Sequence, residues 1–448
     1  MGAQWAEQEL AGINLGDKRL NKRSIKLLER LGEKPTASIP NACNGWSETQ
    51  AAYRFLSQPQ IGWEDILSPH FSCTHERMRA RPVVLCIQDS TELDFHGQDI
   101  EGLGTLSYKA QRGMYLHPTY AVSPEREPLG VLDAWMWVRG DDEKLSRALP
   151  AGAKESCRWV EGYRRLAEQA GQLPDTRLVY VADREGDFID LMAQASELGT
   201  PVDWLIRAAH NRKVVKQQEK LWEGFDAQHL QGEIHFVLPA RKGQKARSVV
   251  QDISVRRCQL KAPKGGGVIN VTAVLAQERD APAGVKPVVW RLLTNREVPT
   301  LEDAAELIDW YRCRWEVEIF FDILKNGCKV EALQLATIER LELALALFMI
   351  IAWRIQMLMR LGRTCPEMDC EVVFDREEWQ AAYIVARKPI PETPPPLNTV
   401  IRLIASFGGF LGRKGDGEPG VKTIWIGLQR VYDFAAGIRA YKAGDICV

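Results

Sequence analysis

Through RLNKRSIKLLERLG (19–32) apolar residues return every three to four positions, and WSETQAAYRFLSQ (46–58) repeats that spacing behind Ser47, a residue type suited to capping a helix. Residues 1 to 70 therefore read as a small helical module. The period changes at PVVLCIQD (82–89), a compact apolar run ending on a carboxylate, and HPTYAVSP (117–124) and PLGVLDAWMWVR (128–139) continue as strands. A helix over 157–173, a buried strand RLVYVAD (177–183) and a helix over 184–199 then alternate, which predicts an α/β centre. Between 231 and 295, four short β-like stretches separated by Gly, Pro and Lys predict an antiparallel insertion. Helical spacing returns over 301–325 and 340–361, the second of these predicted to be core, and KPIPETPPP (388–396) marks a turn or linker before a last helical segment. Three regions are expected: a helical module over 1–70, an α/β domain over 71–365 with its insertion at about 231–295, and a helical domain over 366–448.

Composition narrows this only slightly. With 448 residues and 45% apolar side chains the chain can bury a large core. The longest apolar run, 343–353, is short for a bilayer and is closed by Arg354, and MGAQWAEQELAG has no basic-then-apolar export pattern, so no membrane and a cytoplasmic location are expected. The ten cysteines are scattered without a CxxC pair, which argues against a zinc ribbon or a disulfide framework. A net charge of −1 gives no general basic surplus, but the surplus exists locally. GDKRLNKRSIKLLER (16–30) carries six Lys/Arg against two acids, and 241–264 carries eight against one. Each island could neutralise phosphates or be an ordinary solvated face; in the first, Lys18, Arg19, Lys22, Arg23 and Lys26 are the candidates.

The candidate chemistry lies in YRCRWEVEIFFDILK (311–325). Wound as a helix from Tyr311, Arg314 falls at about 300°, Glu318 at about 340° and Lys325 at about 320°, whereas Glu316 falls on the other side at about 140°. The remaining positions, Trp315, Val317, Ile319, Phe320, Ile323 and Leu324, are apolar, so this polar stripe is an unusual solvated face. The plainer alternative is an Arg314–Glu318 helix pair. Two strands end on acids, Asp89 and Asp183, where an α/β sheet delivers chemical groups to its edge. Asp94 and Asp187 compete but lie beyond the strands, and turn or cap roles remain open for each aspartate singly. If Asp89, Asp183 and Glu318 converge, their repulsion calls for cations. Hard oxygen donors with no His or Cys cluster favour Mg²⁺, with Mn²⁺ as substitute, and two such ions about 4 Å apart can drive phosphodiester cleavage and joining.

These residues resemble the DDE transposases of the bacterial insertion-sequence-four group, in particular the branch of the transposon numbered five. The signature Y-x2-R-x3-E-x6-K is matched by Tyr311, Arg314, Glu318 and Lys325, while IQDST and VADREGD resemble the two aspartate motifs at Asp89 and Asp183. LGDKRLNKR, AAYRFL and LIASFGGFLGRK resemble the N-terminal DNA-binding and C-terminal regions. The resemblance implies an RNase H-like core with an antiparallel β insertion between N- and C-terminal helical domains. It implies double-stranded DNA as partner, both transposon ends and target, a homodimer in the synaptic complex, and cut-and-paste transposition through a hairpin by two metal ions. It also implies a base-stacking role for Trp290, which alone reads equally as a sheet-core residue, and DNA contacts from Arg207, His210, Arg212 and Lys213. The expected location is then the bacterial nucleoid. A DNA-binding relic that no longer cuts, or a nuclease without strand transfer, are the competing readings.

Overall fold

The computed structural model describes residues 4–139, 157–217, 219–238 and 246–443. Five helices lead: α1 (Gln4–Glu9), α2 (Lys18–Glu33), α3 (Ile39–Ala42), α4 (Trp46–Leu56) and α5 (Trp63–Arg79). Asp17 caps α2, accepting from the Arg19 N–H at 2.7 Å, and Leu27, Leu28 and Leu31 form its buried side. The expected boundary at 70 falls inside α5, which runs on to Arg79 because its apolar side packs on the sheet and on a central helix.

The sheet begins with β1 (Val83–Gln88), β2 (Thr91–Asp94), β3 (Gly104–Thr105), β4 (Arg112–Val122) and β5 (Pro128–Trp137). Then follow α6 (Cys157–Ala170), β6 (Arg177–Ala182), α7 (Ile189–Glu197) and β7 (Asp203–Arg207). Strand β4 lies antiparallel between β1 and β5, whereas β6 is parallel to both β1 and β7. The order β5-β4-β1-β6-β7 is that of an RNase H-like core. The insertion strands β8 (Leu230–Leu238), β9 (Arg247–Lys261), β10 (Val268–Glu278) and β11 (Val289–Thr294) are antiparallel, as expected, but they do not stand apart. Leu292 of β11 pairs with Arg207 of β7, so the insertion prolongs the core into one sheet of 11 strands. Residues 241–245 of the second basic island lie outside the described residues. Of the island's described arginines, Arg247 pairs with Glu278 and the buried Arg256 bonds Gln217 and the Leu221 carbonyl, whereas Arg257 pairs with Glu297 on the solvent-exposed surface.

Alternation along the central strands separates two cores. Val84, Cys86, Leu178 and Tyr180 join Trp159 and Tyr163 of α6. Leu85, Ile87, Val179 and Val181 join the core of α8 (Leu301–Arg312), α9 (Trp315–Asp322) and α10 (Ile338–Thr364). α10 is long and apolar enough to cross a membrane by length and composition, more so than its longest uninterrupted run suggests, but 89% of its apolar 18-residue window is buried inside the protein. The C-terminal region is α11 (Arg376–Val385), α12 (Leu397–Phe407) and α13 (Val421–Ala443), and the proline run links the first two.

One polar cluster fastens α1 to this frame. Glu9 takes hydrogen bonds from His70 Nδ1 and from Arg77 at 3.0 and 3.1 Å, while His70 Nε2 accepts from the Val131 N–H at 3.0 Å. An Nε2 that accepts belongs to a neutral imidazole, and burial pushes His70 below its usual value. Burial alone would raise Glu9, but His70 and Arg77 outweigh it and hold the carboxyl at about 2. A depressed carboxylate contributes stability above its unfolded value and loses it as pH falls toward the folded one. The cost of Glu9→Gln, measured by urea unfolding, is therefore expected to shrink by about 1 kcal/mol between pH 6 and pH 3.5. A cost independent of pH would show that the ionised carboxylate does not hold α1.

Candidate active site

Gln88 and Ala182 are register partners on adjacent parallel strands, so the next residue of each, Asp89 and Asp183, leaves the sheet beside the other at the same end. Beneath Asp89 runs a polar chain that no local pattern announces: Ser90 Oγ to His117 Nδ1 at 2.8 Å, His117 Nε2 to Gln88 at 3.0 Å, and Gln88 to Thr119 at 2.7 Å. Burial pushes His117 well below its usual value, so this chain is uncharged and rigidly directional. The Ser90 N–H donates to Asp89 at 2.8 Å. Asp183 caps the short turn after β6, accepting from the Glu185 N–H at 2.7 Å.

The glutamate arrives from across the sheet. α8 does not run straight into α9. The Cys313 N–H is shared between the Asp309 and Trp310 carbonyls and the Arg314 N–H reaches back only to Tyr311, a tightened turn. Arg314 then donates from one nitrogen, Nη1, to both Asp89 and Glu318, the latter at 3.2 Å, and Nη2 bonds Glu318 at 3.2 Å. The arginine and glutamate of the polar stripe thus meet the first aspartate through a single guanidinium. Burial raises the Asp89 carboxyl to about 7, with Asp183 and Glu318 adding like-charge repulsion that Arg314 only partly offsets. Among the described residues no three acids stand close enough to enclose an ion as they are, since the guanidinium holds the place between two of them.

Tyr311 is buried at the end of α8, its phenol raised by burial against the opposing pull of Arg314 and Arg207. Arg207 ends β7, and Trp290 lies two residues before Leu292, the antiparallel partner of Arg207. Trp290 therefore projects past the carboxyl end of β7, on the acidic edge, where it is half-buried and stacked on Phe236 at 6.3 Å. Lys325 departs from a straight wheel because residues 323–327 form a π-turn; it is partly exposed and has no ion pair among the described residues. On α2, Lys18, Arg19 and Lys22 are exposed and Arg23 and Lys26 partly so, with Arg19 on Asp17 at 3.0 Å and Lys26 on Glu29 at 3.2 Å.

Two competing acids have other work. Asp94 accepts from the His96 N–H and from Gln111. Asp187 is buried and holds the loop after β7, accepting from the Ala209 and His210 N–H groups at 2.7 and 2.9 Å and from Arg212 at 2.6 Å. Arg212 also bonds the Asp187 carbonyl, so its charge turns inward, while His210 and Lys213 are exposed. Trp315, read above only as an apolar helix position, is 57% exposed with Arg314 at 5.5 Å from its ring centroid. At about 40° on the same wheel it borders the polar stripe, which is the signal that could have found it.

Three families match along the chain: residues 2–61 match Transposase DNA-binding, 161–354 match Transposase DDE domain, and 350–445 match Transposase Tn5 dimerisation domain. Among solved structures, a cryo-EM structure of the piggyBac transposase synaptic complex with hairpin DNA is similar at 8% identity, covering 80% of this chain and 72% of that one with a TM-score of 0.37.

Because Asp187 is enclosed and paired, its neutralisation leaves Arg212 opposed by no charge. Asp187→Asn is expected to cost about 3 kcal/mol in denaturant unfolding. Asp94→Asn is expected to cost under about 1 kcal/mol, and equal effects would deny Asp187 its place as the loop's anchor.

Proposed function

The chain belongs to the Tn5-type DDE transposases, and from that premise we propose that it moves a DNA element by cut-and-paste: two copies bind the terminal inverted repeats, cleave the ends through a hairpin and join them to target DNA. The observation that carries this reading is the meeting of Asp89, Glu318 and Arg314 on one guanidinium nitrogen, beside Asp183. In the proposed site Asp89, Asp183 and Glu318 hold two Mg²⁺ ions, with Mn²⁺ as a substitute. Bound there, the ions would activate the attacking oxygen and stabilise the leaving one. The donor set fits, being hard oxygens alone, with Asp89 raised by its burial and by the neighbouring acids.

The protein's own groups do the rest. Arg314 offsets the acids while the site is empty of DNA and, with Lys325 and Arg207, binds phosphates flanking the scissile bond; the buried phenol of Tyr311 orients one of them. Trp290 and the exposed Trp315 offer aromatic faces to a base leaving the stack at the hairpin step. Lys18, Lys22 and their neighbours on α2 contact the end duplex. The place of action is the bacterial nucleoid.

Incubation with a labelled duplex carrying the terminal repeat, with and without Mg²⁺, tests this on a denaturing gel. Asp89→Asn, Asp183→Asn and Glu318→Gln are each expected to lower nicking and joining by about 10³-fold or more while end binding stays within about threefold. A shifted but uncut duplex with the unaltered protein would leave a DNA-binding relic instead. Separately, Lys22→Ala is expected to reduce the slope of log affinity against log salt by about one, because one phosphate contact is lost. An unchanged slope would place α2 away from the DNA backbone.

A further inference from the structure

Glu316 is fully buried two residues before Glu318, and the reaction outlined above makes no use of it. Its carboxylate is met from two other elements. Arg360 of α10 donates from Nε at 2.9 Å to Oε2 and from Nη2 to Oε1, a forked pair. Gln356, one turn earlier, donates to Oε2 at 3.0 Å and to the Glu316 backbone carbonyl at 2.9 Å. From the turn between β4 and β5, Arg126 Nη1 lies 3.6 Å from Oε1 and donates at 3.3 Å to the Arg312 carbonyl, the last residue of α8 before the break. Gln356 in turn accepts from Tyr120 of β4 at 2.8 Å, and Tyr120 is the register partner of Ile87, two residues before Asp89.

The other buried groups on α9, Val317, Phe320 and Phe321, are apolar. Apolar contact is non-directional and tolerates a small rotation of the helix. A forked ion pair is not so tolerant, because both nitrogens must keep line with both oxygens. An enclosed carboxylate also persists only with its partners in place. A shift of about 1 Å at a reacting centre is enough to slow a reaction severely, and Glu316 and Glu318 share one turn of helix.

We infer that Glu316 is a positioning residue for the proposed DNA cleavage: its buried pairing with Arg360 and Arg126 fixes the rotation of α9 and the break before it, so that Glu318 and Arg314 meet Asp89. This rests on the transposase reading of the acid site.

The test compares the full chain with Glu316→Gln, Glu316→Asp and Arg126→Gln, using end-duplex binding, the rate of the first nick at saturating duplex, and hydrogen–deuterium exchange. Glu316→Gln is expected to bind the end within about twofold of the unaltered chain, to nick at least about tenfold more slowly, and to exchange faster over 311–325 but not over 83–89 or α2. Glu316→Asp, which keeps the charge, recovers part of the rate. Arg126→Gln removes only the outer arm of the pairing and gives the same pattern more weakly, so it decides the matter if Glu316→Gln does not fold. Nicking at the unaltered rate, slowed nicking with unchanged exchange over 311–325, or parallel loss of end binding would overturn the inference. If the unaltered chain itself does not nick, the transposase reading fails, and exchange alone still reports whether Glu316 fixes α9.

Discussion

A helix that is apolar on every side exists in water only if it is covered on every side, and α10 imposes that condition on the whole chain. Its residues from Leu343 to Ile355 are buried almost without interruption. Covering them takes α2 and α4 from the N-terminal region, α5, β5 and α9 from the centre, and α12 and α13 from the C-terminal region. Each large side chain so enclosed contributes about 1.5–3 kcal/mol, a sum that no one of these regions could supply alone. The three regions therefore share one core instead of meeting as separate bodies. Among the polar residues of α10, Arg354 lies over the Trp5 ring at 4.5 Å, and Gln356 and Arg360 hold Glu316.

The acidic site follows from two positional constraints laid on that core. The first is register: a one-residue slip between β1 and β6 would send Asp89 and Asp183 to different levels and opposite faces. The second is the tightened turn at Cys313 and Arg314, whose right-handed helical dihedrals carry the polar stripe of α8 on into α9. Together they gather like charges in a buried place, and Arg314 answers the resulting repulsion by reaching both Asp89 and Glu318. Burial raises the Asp89 carboxyl even so, with the two neighbouring acids adding to it.

What could be read from the chain was whatever depends on near neighbours. An apolar run ending in aspartate announces a strand edge, and the Tyr311, Arg314, Glu318 stripe survives the turn at Cys313 because that turn keeps helical dihedrals close to α at Arg314. Lys325 was less legible, since a π-turn adds a residue that no wheel anticipates. Partnerships across long separations were not legible at all. Glu316 finds Arg360 44 residues on and Asp187 finds Arg212 25 residues on, each because the fold brings two elements together that the local pattern does not connect. In the basic island at 241–264 the charges are visible in the sequence, but the acids that pair with Arg247 and Arg257 are not adjacent to them.

That pairing explains how a chain with a net charge of −1 can still present cations to a polyanion. The inward arginines take acids out of circulation: Arg77 holds Glu9, Arg212 holds Asp187, Arg247 holds Glu278, Arg360 holds Glu316. A planar fork with a weakly hydrated charge is suited to such enclosed pairs, whereas a lysine ammonium is strongly hydrated and favours the surface. Lys18, Lys22 and Lys213 are exposed accordingly. Net charge sums both populations and so hides the division between them. The field that a phosphate backbone would meet is set by the exposed population alone.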